Sequence, residues 1–442
     1  MDKARDAALA TLGRILDKNQ DLDRVLAALP NDLDPRDRAF VRQLVATCLR
    51  QLGRIDDLIE TSLRKPLPPR MTVVRHILRL GITQLLFMDV PNHAAINTSV
   101  ELLSRQKDKR TAGFKGLVNA VLRRMTRQSN SLLRKQDPLL ALPDWLQYPW
   151  VDAWGEEAVA DILAVQASEP PLDISLKPGE DAQAWAEKLE ADMLPTGSLR
   201  RKSGGRIEDL PGYSDGRWWV QDTAATLPVK LLGDLDGQHV IDMCAAPGGK
   251  TMQLAAADAQ VTAVDRSENR LVRLKENMAR LDLAAQVVAA DGAAWTPDAP
   301  VDAVLLDAPC STTGTLRRHP DVAWLKGQED VDKLALLQAK LLAHCASYVR
   351  PGGLMVYCVC SLQPEEGAAQ IEAFLADNPD WKRDKITASD TNVLPEMITP
   401  DGDLRTLPSM LSEAGGMDGF FAARLIKSTW GICSLAGALA SW

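Results

Sequence analysis

Two cysteines stand in loops whose flanking residues suit covalent chemistry: Cys310 in Asp307-Ala308-Pro309-Cys310-Ser311, and Cys360 in Tyr357-Cys358-Val359-Cys360-Ser361. Both lie downstream of Asp242-Met243-Cys244-Ala245-Ala246-Pro247-Gly248-Gly249-Lys250-Thr251, a glycine-rich run that closes an apolar segment. A thiolate can add to the weakly electrophilic C6 of a pyrimidine, which turns C5 into a carbon nucleophile able to take a methyl group from a sulfonium donor. The glycine-rich stretch is where such a donor would sit. A cysteine at a strand end is more often a small buried apolar side chain, so the weight rests on the order of the three segments rather than on either thiol alone.

The loop around Gly248-Gly249-Lys250-Thr251 admits three readings. A nucleoside-triphosphate loop requires a glycine ahead of Gly-Lys-Thr, and the stretch Cys244-Ala245-Ala246-Pro247 has none at its head. A dinucleotide fold wants Gly-x-Gly-x-x-Gly after its first strand, which is absent here. An S-adenosylmethionine loop needs small residues that let the backbone approach the amino-acid end of the donor, followed by an acidic residue at the end of the next strand to bind ribose hydroxyls. Asp265 supplies that residue, and Asp291-Gly292 ends the strand after it. A single aspartate reads equally well as a cap or turn residue. Asp265, Asp291 and Asp307 at successive strand ends argue against that reading for the set.

The elements that must position these residues are legible from about Leu231 onward, where short apolar strands alternate with helical patterns as in a doubly wound parallel sheet. The strands are expected at 239–242, 261–265, 285–289, 301–307 and 353–358, and every motif above falls at a carboxyl end, where such sheets bind ligands. Ahead of them, Trp218-Trp219-Val220-Gln221-Asp222 reads as a strand and turn. Leu172-Asp173-Ile174-Ser175-Leu176 alternates like another, and Gly204-Gly205 and Pro211-Gly212 mark turns. Trp145, Trp150 and Trp154 lie on a helical stretch, where packing is the commoner use of tryptophan and base stacking the rarer one. The first part of the chain reads as a helical bundle. Phe40, Leu44, Val45, Cys48, Leu49 and Leu52 recur at helical spacing, Asp34-Pro35 starts a helix, and Lys65-Pro66-Leu67-Pro68-Pro69 separates two others. A polar stretch from about 129 to 143, bounded by proline, reads as a linker.

The chain of 442 residues is long enough for two or three domains. Its net charge of −8 is unevenly spread. Residues 1–128 hold about 23 Lys and Arg against about 14 Asp and Glu, roughly +9, which leaves roughly −17 for the remainder. A basic module joined to an acidic enzyme suits an RNA-handling protein, although a solvated helical surface explains the same charge. The 7 cysteines form no disulfide framework, no apolar run spans a bilayer and no signal peptide is visible. Reduced thiols in the cytoplasm, no membrane and no metal are therefore expected, since Cys358 and Cys360 are too closely spaced for a usual zinc pair.

Taken together, these segments resemble the bacterial 16S ribosomal RNA cytosine-5 methyltransferases of the RsmB (Fmu/Sun) type. Leu78-Arg79-Leu80-Gly81, Pro91-Asn92-His93-Ala94-Ala95-Ile96-Asn97 and Lys115-Gly116-Leu117-Val118-Asn119-Ala120-Val121-Leu122-Arg123-Arg124 likewise resemble a NusB-like RNA-binding domain. The resemblance implies an α/β fold in which a Rossmann-like S-adenosylmethionine methyltransferase domain (231–427) follows an all-α NusB-like domain (1–128), the linker (129–143) and a small α+β RNA-recognition-like subdomain (144–230). It implies S-adenosylmethionine bound by Cys244, Ala245, Ala246, Pro247, Gly248, Gly249 and Lys250, with Asp265 and Asp307, and with Asp291 near the adenine ring. It makes Cys360 the nucleophile, Cys310 the residue that helps release enzyme from product, and Asp307 the partner of the cytosine edge, with Lys250 beside it. Lys250, Arg317 and Arg318 are candidates to favour the Cys360 thiolate. Ribosomal RNA is the expected partner and a monomer the expected state. Methylation of another RNA such as transfer RNA, a non-catalytic ribosome-assembly factor and an RNA-stimulated nucleotide hydrolase stay open as alternatives. Two departures stand out: Val359 occupies a position where relatives usually carry threonine, and Ser428 to Trp442 extends beyond the closing strand expected at 418–425 with no assigned role.

Overall fold

The computed structural model describes residues 2–201, 205–388, 390 and 393–429. Gly204 and the tail beyond Thr429 lie outside the described residues. The chain divides into two compact units, the first made of Met1–Glu169 with Thr315–Gln328 and the second of Pro170–Gly314 with Glu329–Trp442. No helix among the described residues is long and apolar enough to cross a membrane.

The first unit is helical: α1 (Lys3–Leu16), α2 (Leu22–Ala27), α3 (Pro35–Arg50), α4 (Leu52–Ser62), α5 (Thr72–Leu86), α6 (Asn92–Ser104), α7 (Lys115–Lys135), α8 (Asp144–Trp154) and α9 (Glu156–Gln166). The start signals behave as their chemistry dictates. Asp34 accepts from the Arg36 N–H with Pro35 at the first helical position, and Asp2 caps α1 through the Arg5 N–H. Leu12, Leu44, Val45, Ile77 and Leu78 form a continuous buried core with Val118 and Leu122. Gly81 lets α5 approach α7 closely, because a Cβ there would stand 2.8 Å from a Leu122 methyl carbon.

Two expectations change here. The stretch read as a linker is not one: α7 runs on to Lys135, and Leu139, Ala141 and Leu142 are buried. The Gln136 side-chain amide also donates to the Arg54 carbonyl at 2.9 Å and to Asp57 at 2.7 Å. Polar composition hid a few leucines spaced to reach the core. Helices α8 and α9, expected with the small subdomain, group with the helical unit. That unit is completed by a segment from far along the chain, carrying α14 (Val322–Leu325). Asp321 accepts from the Leu22 N–H at the start of α2 at 2.8 Å, and Trp324 Nε1 donates to the Leu49 carbonyl at 2.9 Å. Trp145 Nε1 donates to the Ala323 carbonyl, and Trp150 is fully buried, so both act in packing.

The second unit opens with β1 (Leu172–Leu176), α10 (Ala182–Leu189), β2 (Ala191–Met193), β3 (Leu199–Arg201), β4 (Trp218–Val220) and α11 (Thr223–Lys230). Next come β5 (His239–Met243), α12 (Gly249–Ala256), β6 (Gln260–Asp265), α13 (Glu268–Arg280), β7 (Gln286–Ala289), β8 (Val301–Asp307), then α14, α15 (Gln328–Ser347) and β9 (Val349–Val359). The unit closes with α16 (Ala368–Asp377), β10 (Trp381–Arg383), β11 (Leu404–Thr406) and β12 (Phe420–Lys427). A small antiparallel sheet runs β2-β3-β1-β4, and the large sheet runs β10-β12-β9-β8-β5-β6-β7 with β11 paired to β12. β9, β8, β5, β6 and β7 are parallel, and β12 is antiparallel to β9. The chain moves outward from β5 to β7 and then crosses back to β8, so the switch point lies between β5 and β8, where doubly wound sheets open a ligand crevice.

Arg200 and Asp173 form a fully buried two-pronged ion pair in the small sheet, at 2.7 Å for each contact. Arg200 also donates to the Gly416 carbonyl at 2.6 Å, and Asp173 accepts from the Thr223 N–H at 2.9 Å. Removing one member strands the other charge. Asp173→Ala is expected to cost about 3–5 kcal/mol in urea unfolding, and a paired apolar replacement of both residues far less.

Candidate active site

At the carboxyl end of β5 the chain turns through Cys244, with a positive φ of 65°, and Gly248, with a φ of 107°, into α12. A Cβ on Gly248 would lie 2.8 Å from Leu274, so only glycine fits this turn. Asp265, at the end of β6, holds the loop from the side: its carboxylate accepts from the Ala246 N–H at 3.1 Å and from the Ser267 N–H at 2.8 Å. Asp242 is fully buried beneath the loop. Thr251 Oγ1 donates to its Oδ2 at 2.5 Å, and its Oδ1 has no hydrogen-bond partner among the described residues. Burial pushes the Asp242 carboxyl up to about 7, with Thr251 opposing the shift.

Lys250, in the first turn of α12, reaches across the switch point to Asp307 at the end of β8, with Nζ 2.8 Å from Oδ2. Burial by itself would lower the Lys250 ammonium, but Asp307, Cys358 and Cys360 raise it above its ordinary value. Its Nζ also lies 5.0 Å from the centre of the Phe420 ring. The other oxygen of Asp307 accepts from Cys358 Sγ at 3.5 Å. Cys358 is wholly buried inside β9, which drives its thiol well above its ordinary value.

The two loops expected to carry reactive thiols meet at this edge. Cys310 Sγ and Cys360 Sγ are 3.5 Å apart, a non-bonded contact. Cys310 is buried and its thiol is raised well above the usual range, first by the contact with Cys360 and then by burial. Cys360 is partly exposed. The loops are bound to each other directly: the Gly314 N–H donates to the Cys360 carbonyl at 3.1 Å, and the Leu362 N–H to Thr313 Oγ1 at 3.0 Å.

Cys244 to Lys250, Asp265, Asp307, Cys310 and Cys360 all lie at the carboxyl edge of the large sheet. Asp291 lies two residues past β7 and is exposed, its carboxylate accepting from the Ala293 N–H at 3.0 Å. Of the cations weighed for Cys360, Lys250 reaches Asp307, whereas Arg317 is buried in the segment that joins the helical unit, where its carbonyl accepts from Arg50 at 2.7 Å. Val359 is fully buried and pairs in register with Phe421 of β12, so an aliphatic side chain suits the position. Sequence reading missed Glu366, Ser311, Ser361, Gln338 and Arg405, which surround the base of the cysteine loops. Glu365-Glu366 after Pro364 has no local pattern that separates a buried carboxylate from an exposed one.

The helical unit carries a second feature, a groove of about 690 Å³ between the end of α4 and α7. Arg64, Lys65, Arg124 and Arg127 line it together with Leu117 and Val121.

Residues 229–426 match the family model described as 16S rRNA methyltransferase RsmB/F, and residues 2–127 match the NusB family. The chain is 34% identical over 440 residues to ribosomal RNA small subunit methyltransferase B of Cronobacter sakazakii, covering 96% of this chain and 98% of that protein. The chain belongs to the RsmB/F methyltransferase family. The protein of the same name from Serratia proteamaculans is 35% identical, with the same coverage. Among solved structures, PH0851 superposes with a TM-score of 0.73 over 97% of this chain and 99% of that one, at 22% identity. NSun6 from Pyrococcus horikoshii, solved with SFG, gives 0.56 over 65% of this chain and 99% of that one, at 17% identity. These two speak to the fold alone.

As a member of this family the protein is an S-adenosylmethionine-dependent methyltransferase, and the loop fits that donor. Gly248 and the small residues Ala245 and Ala246 keep side chains out of the turn, the start of α12 presents backbone N–H groups suited to a carboxylate, and Asp242 Oδ1 is a buried polar atom with no hydrogen-bond partner among the described residues. The Asp242 carboxyl also makes stability depend on pH. The folded state keeps its proton up to about pH 7, whereas an unfolded aspartate releases it near 4. The folded state therefore binds the extra proton between those values, and stability falls as pH rises across that window. Asp242→Asn is expected to flatten this part of the profile, as measured by thermal unfolding between pH 4 and 8.

Proposed function

We propose that this methyltransferase modifies C5 of a cytosine in 16S ribosomal RNA through a transient bond between Cys360 Sγ and C6 of the base. The observation that carries the reading is the meeting of two thiols, 3.5 Å apart, at the sheet edge where Lys250 and Asp307 also pair. The family description and the names of the relatives from Cronobacter and Serratia support ribosomal RNA as the substrate.

Cytosine C5 is too weak a nucleophile to be methylated directly, and the chain's residues answer that difficulty in turn. Cys360, the more exposed thiol of the pair, adds to C6. The negative charge that then develops on the ring lies near Lys250, whose ammonium stays protonated at neutral pH because the acidic groups around it outweigh its burial. Asp307 accepts from the exocyclic amine of the base, its carboxylate oriented by Lys250 on one oxygen and by Cys358 on the other. S-adenosylmethionine would supply the methyl group, and the loop from Cys244 to Lys250 would hold it, with Asp265 for its ribose hydroxyls and Asp291 for its adenine. Water takes the C5 proton, its electron pair reforms the C5–C6 double bond, and the C6–S bond breaks with Cys360 leaving as a thiolate, a departure that the Cys310 thiol 3.5 Å away assists. The base must leave its stack to reach this edge, which suits RNA presented as an accessible loop. The groove lined by Arg64, Lys65, Arg124 and Arg127 supports phosphate contacts in the helical unit.

Cys360→Ala is expected to abolish methyl transfer to C5, read by bisulfite sequencing of 16S ribosomal RNA. Cys310→Ala is expected to accumulate protein bound covalently to RNA, visible as a band of reduced mobility in denaturing gels; full turnover by both variants would defeat the assignment. Arg124→Glu with Arg127→Glu is expected to weaken RNA binding about equally across sequences. It should also reduce the slope of log affinity against log salt by about 1 or more.

A further inference from the structure

We propose that Glu366 is the positioning residue that holds the Cys310 and Cys360 loops in register, so that both thiols are presented to one base. The proposal rests on the covalent reading above and adds to it a group that touches neither substrate nor donor.

Glu366 sits on the short turn Pro364–Glu366, six positions beyond Cys360, and is fully buried. Its Oε1 accepts from the Ser311 N–H at 2.8 Å and from Gln338 Nε2 at 3.0 Å. Its Oε2 accepts from Ser361 Oγ at 2.5 Å and from Ser311 Oγ. Ser311 follows Cys310 and Ser361 follows Cys360, so one carboxylate is bonded to the residue next to each thiol. Gln338, on α15, donates through the same amide nitrogen to the Pro309 carbonyl at 2.9 Å and so braces the first loop on its other side. Arg405 donates to the Ser361 carbonyl at 2.6 Å, bracing the second. The turn itself is anchored by Tyr357, whose hydroxyl donates to the Glu366 carbonyl at 2.6 Å.

A buried carboxylate is costly unless its oxygens are satisfied. Here three of the four donors come from the two cysteine loops, so the loops satisfy the carboxylate only while they stay together. Without it, the Ser311 N–H and the Gln338 amide lose this acceptor, and the loops keep the bonds at Gly314 and Leu362 and the weaker hydroxyl contacts of Ser361 with Ser311 at 3.1 Å and with Thr313 at 3.2 Å. A shift of about 1 Å in a reacting group can cost about 100-fold in rate.

The test uses the full-length protein and two readouts: steady-state methyl transfer to RNA, and the rate at which diamide joins Cys310 to Cys360 as a disulfide, followed by mass spectrometry of the linked peptides. The second reports sulfur proximity without any turnover. Glu366→Ala is expected to lower kcat about 100-fold while KM for RNA and affinity for S-adenosylmethionine stay within about threefold, and to slow disulfide formation about tenfold or more. Glu366→Gln, which keeps one acceptor oxygen for the Ser311 N–H, is expected to recover part of both. If Glu366→Ala does not fold, Ser311→Ala with Ser361→Ala must show the same paired loss to a smaller degree. Wild-type disulfide formation in these variants, whether kcat falls or not, would overturn the proposal. Full turnover by Cys360→Ala would instead remove the covalent reading and leave the disulfide result standing.

Discussion

The parallel pairing of β8 between β5 and β9 is the constraint on which the rest depends. In that register Met243 lies beside Leu306, and Asp307 beside Cys358. The three strands therefore finish at one edge, and the loops that leave them have no choice but to share it. The inner strands are buried on both faces, with Ile241, Val304, Leu305 and Val356 fully enclosed, so a slip in pairing would drag apolar side chains out of two packed layers. Apolar burial thus sets the position of the polar edge. The crossover from β7 back to β8 sets the glycine-rich loop after β5 and the first cysteine loop after β8 on neighbouring strands at the switch point.

Two buried polar groupings then divide the work at that edge. Lys250 and Asp307 join the glycine-rich loop to the end of β8, and the Asp307 carboxylate keeps 32% of its side chain exposed. Glu366 lies deeper, fully enclosed, and its partners are parts of the loops themselves. The thiols differ in their surroundings. Burial raises Cys358, the contact with Cys360 and then burial raise Cys310, and Cys360 itself lies partly in the open.

The helical unit shows a different kind of dependence. Its helices are built from local signals, but its closure borrows Thr315–Gln328 from between β8 and α15. Asp321 and Trp324 bond to the start of α2 and the end of α3, positions about three hundred residues away in sequence. The cysteine loop after β8 therefore runs without interruption into a segment that belongs to the helical core. Fold and site are covalently continuous at Gly314 and Thr315.

The sequence by itself determined the elements whose cause is local. The helical spacing from Phe40 to Leu52, the Asp34-Pro35 start and the apolar strands ending in Asp265 and Asp307 all arise from neighbours along the chain, so they were legible without a fold. The meaning of Gly248 was legible too, because a glycine-rich turn after a strand limits what can approach it. Only the tertiary structure decided that α7 runs on to Lys135 inside the supposed linker, that Arg317 groups with the helical unit, and that Cys310 and Cys360 touch. It alone revealed Glu366, since a glutamate in a short turn looks the same in sequence whether water or two serines will satisfy it. The physical reason is the same in each case: periodicity and capping act over a few residues, whereas burial and hydrogen-bond partnership are settled by groups that the chain brings together from dozens to hundreds of positions apart.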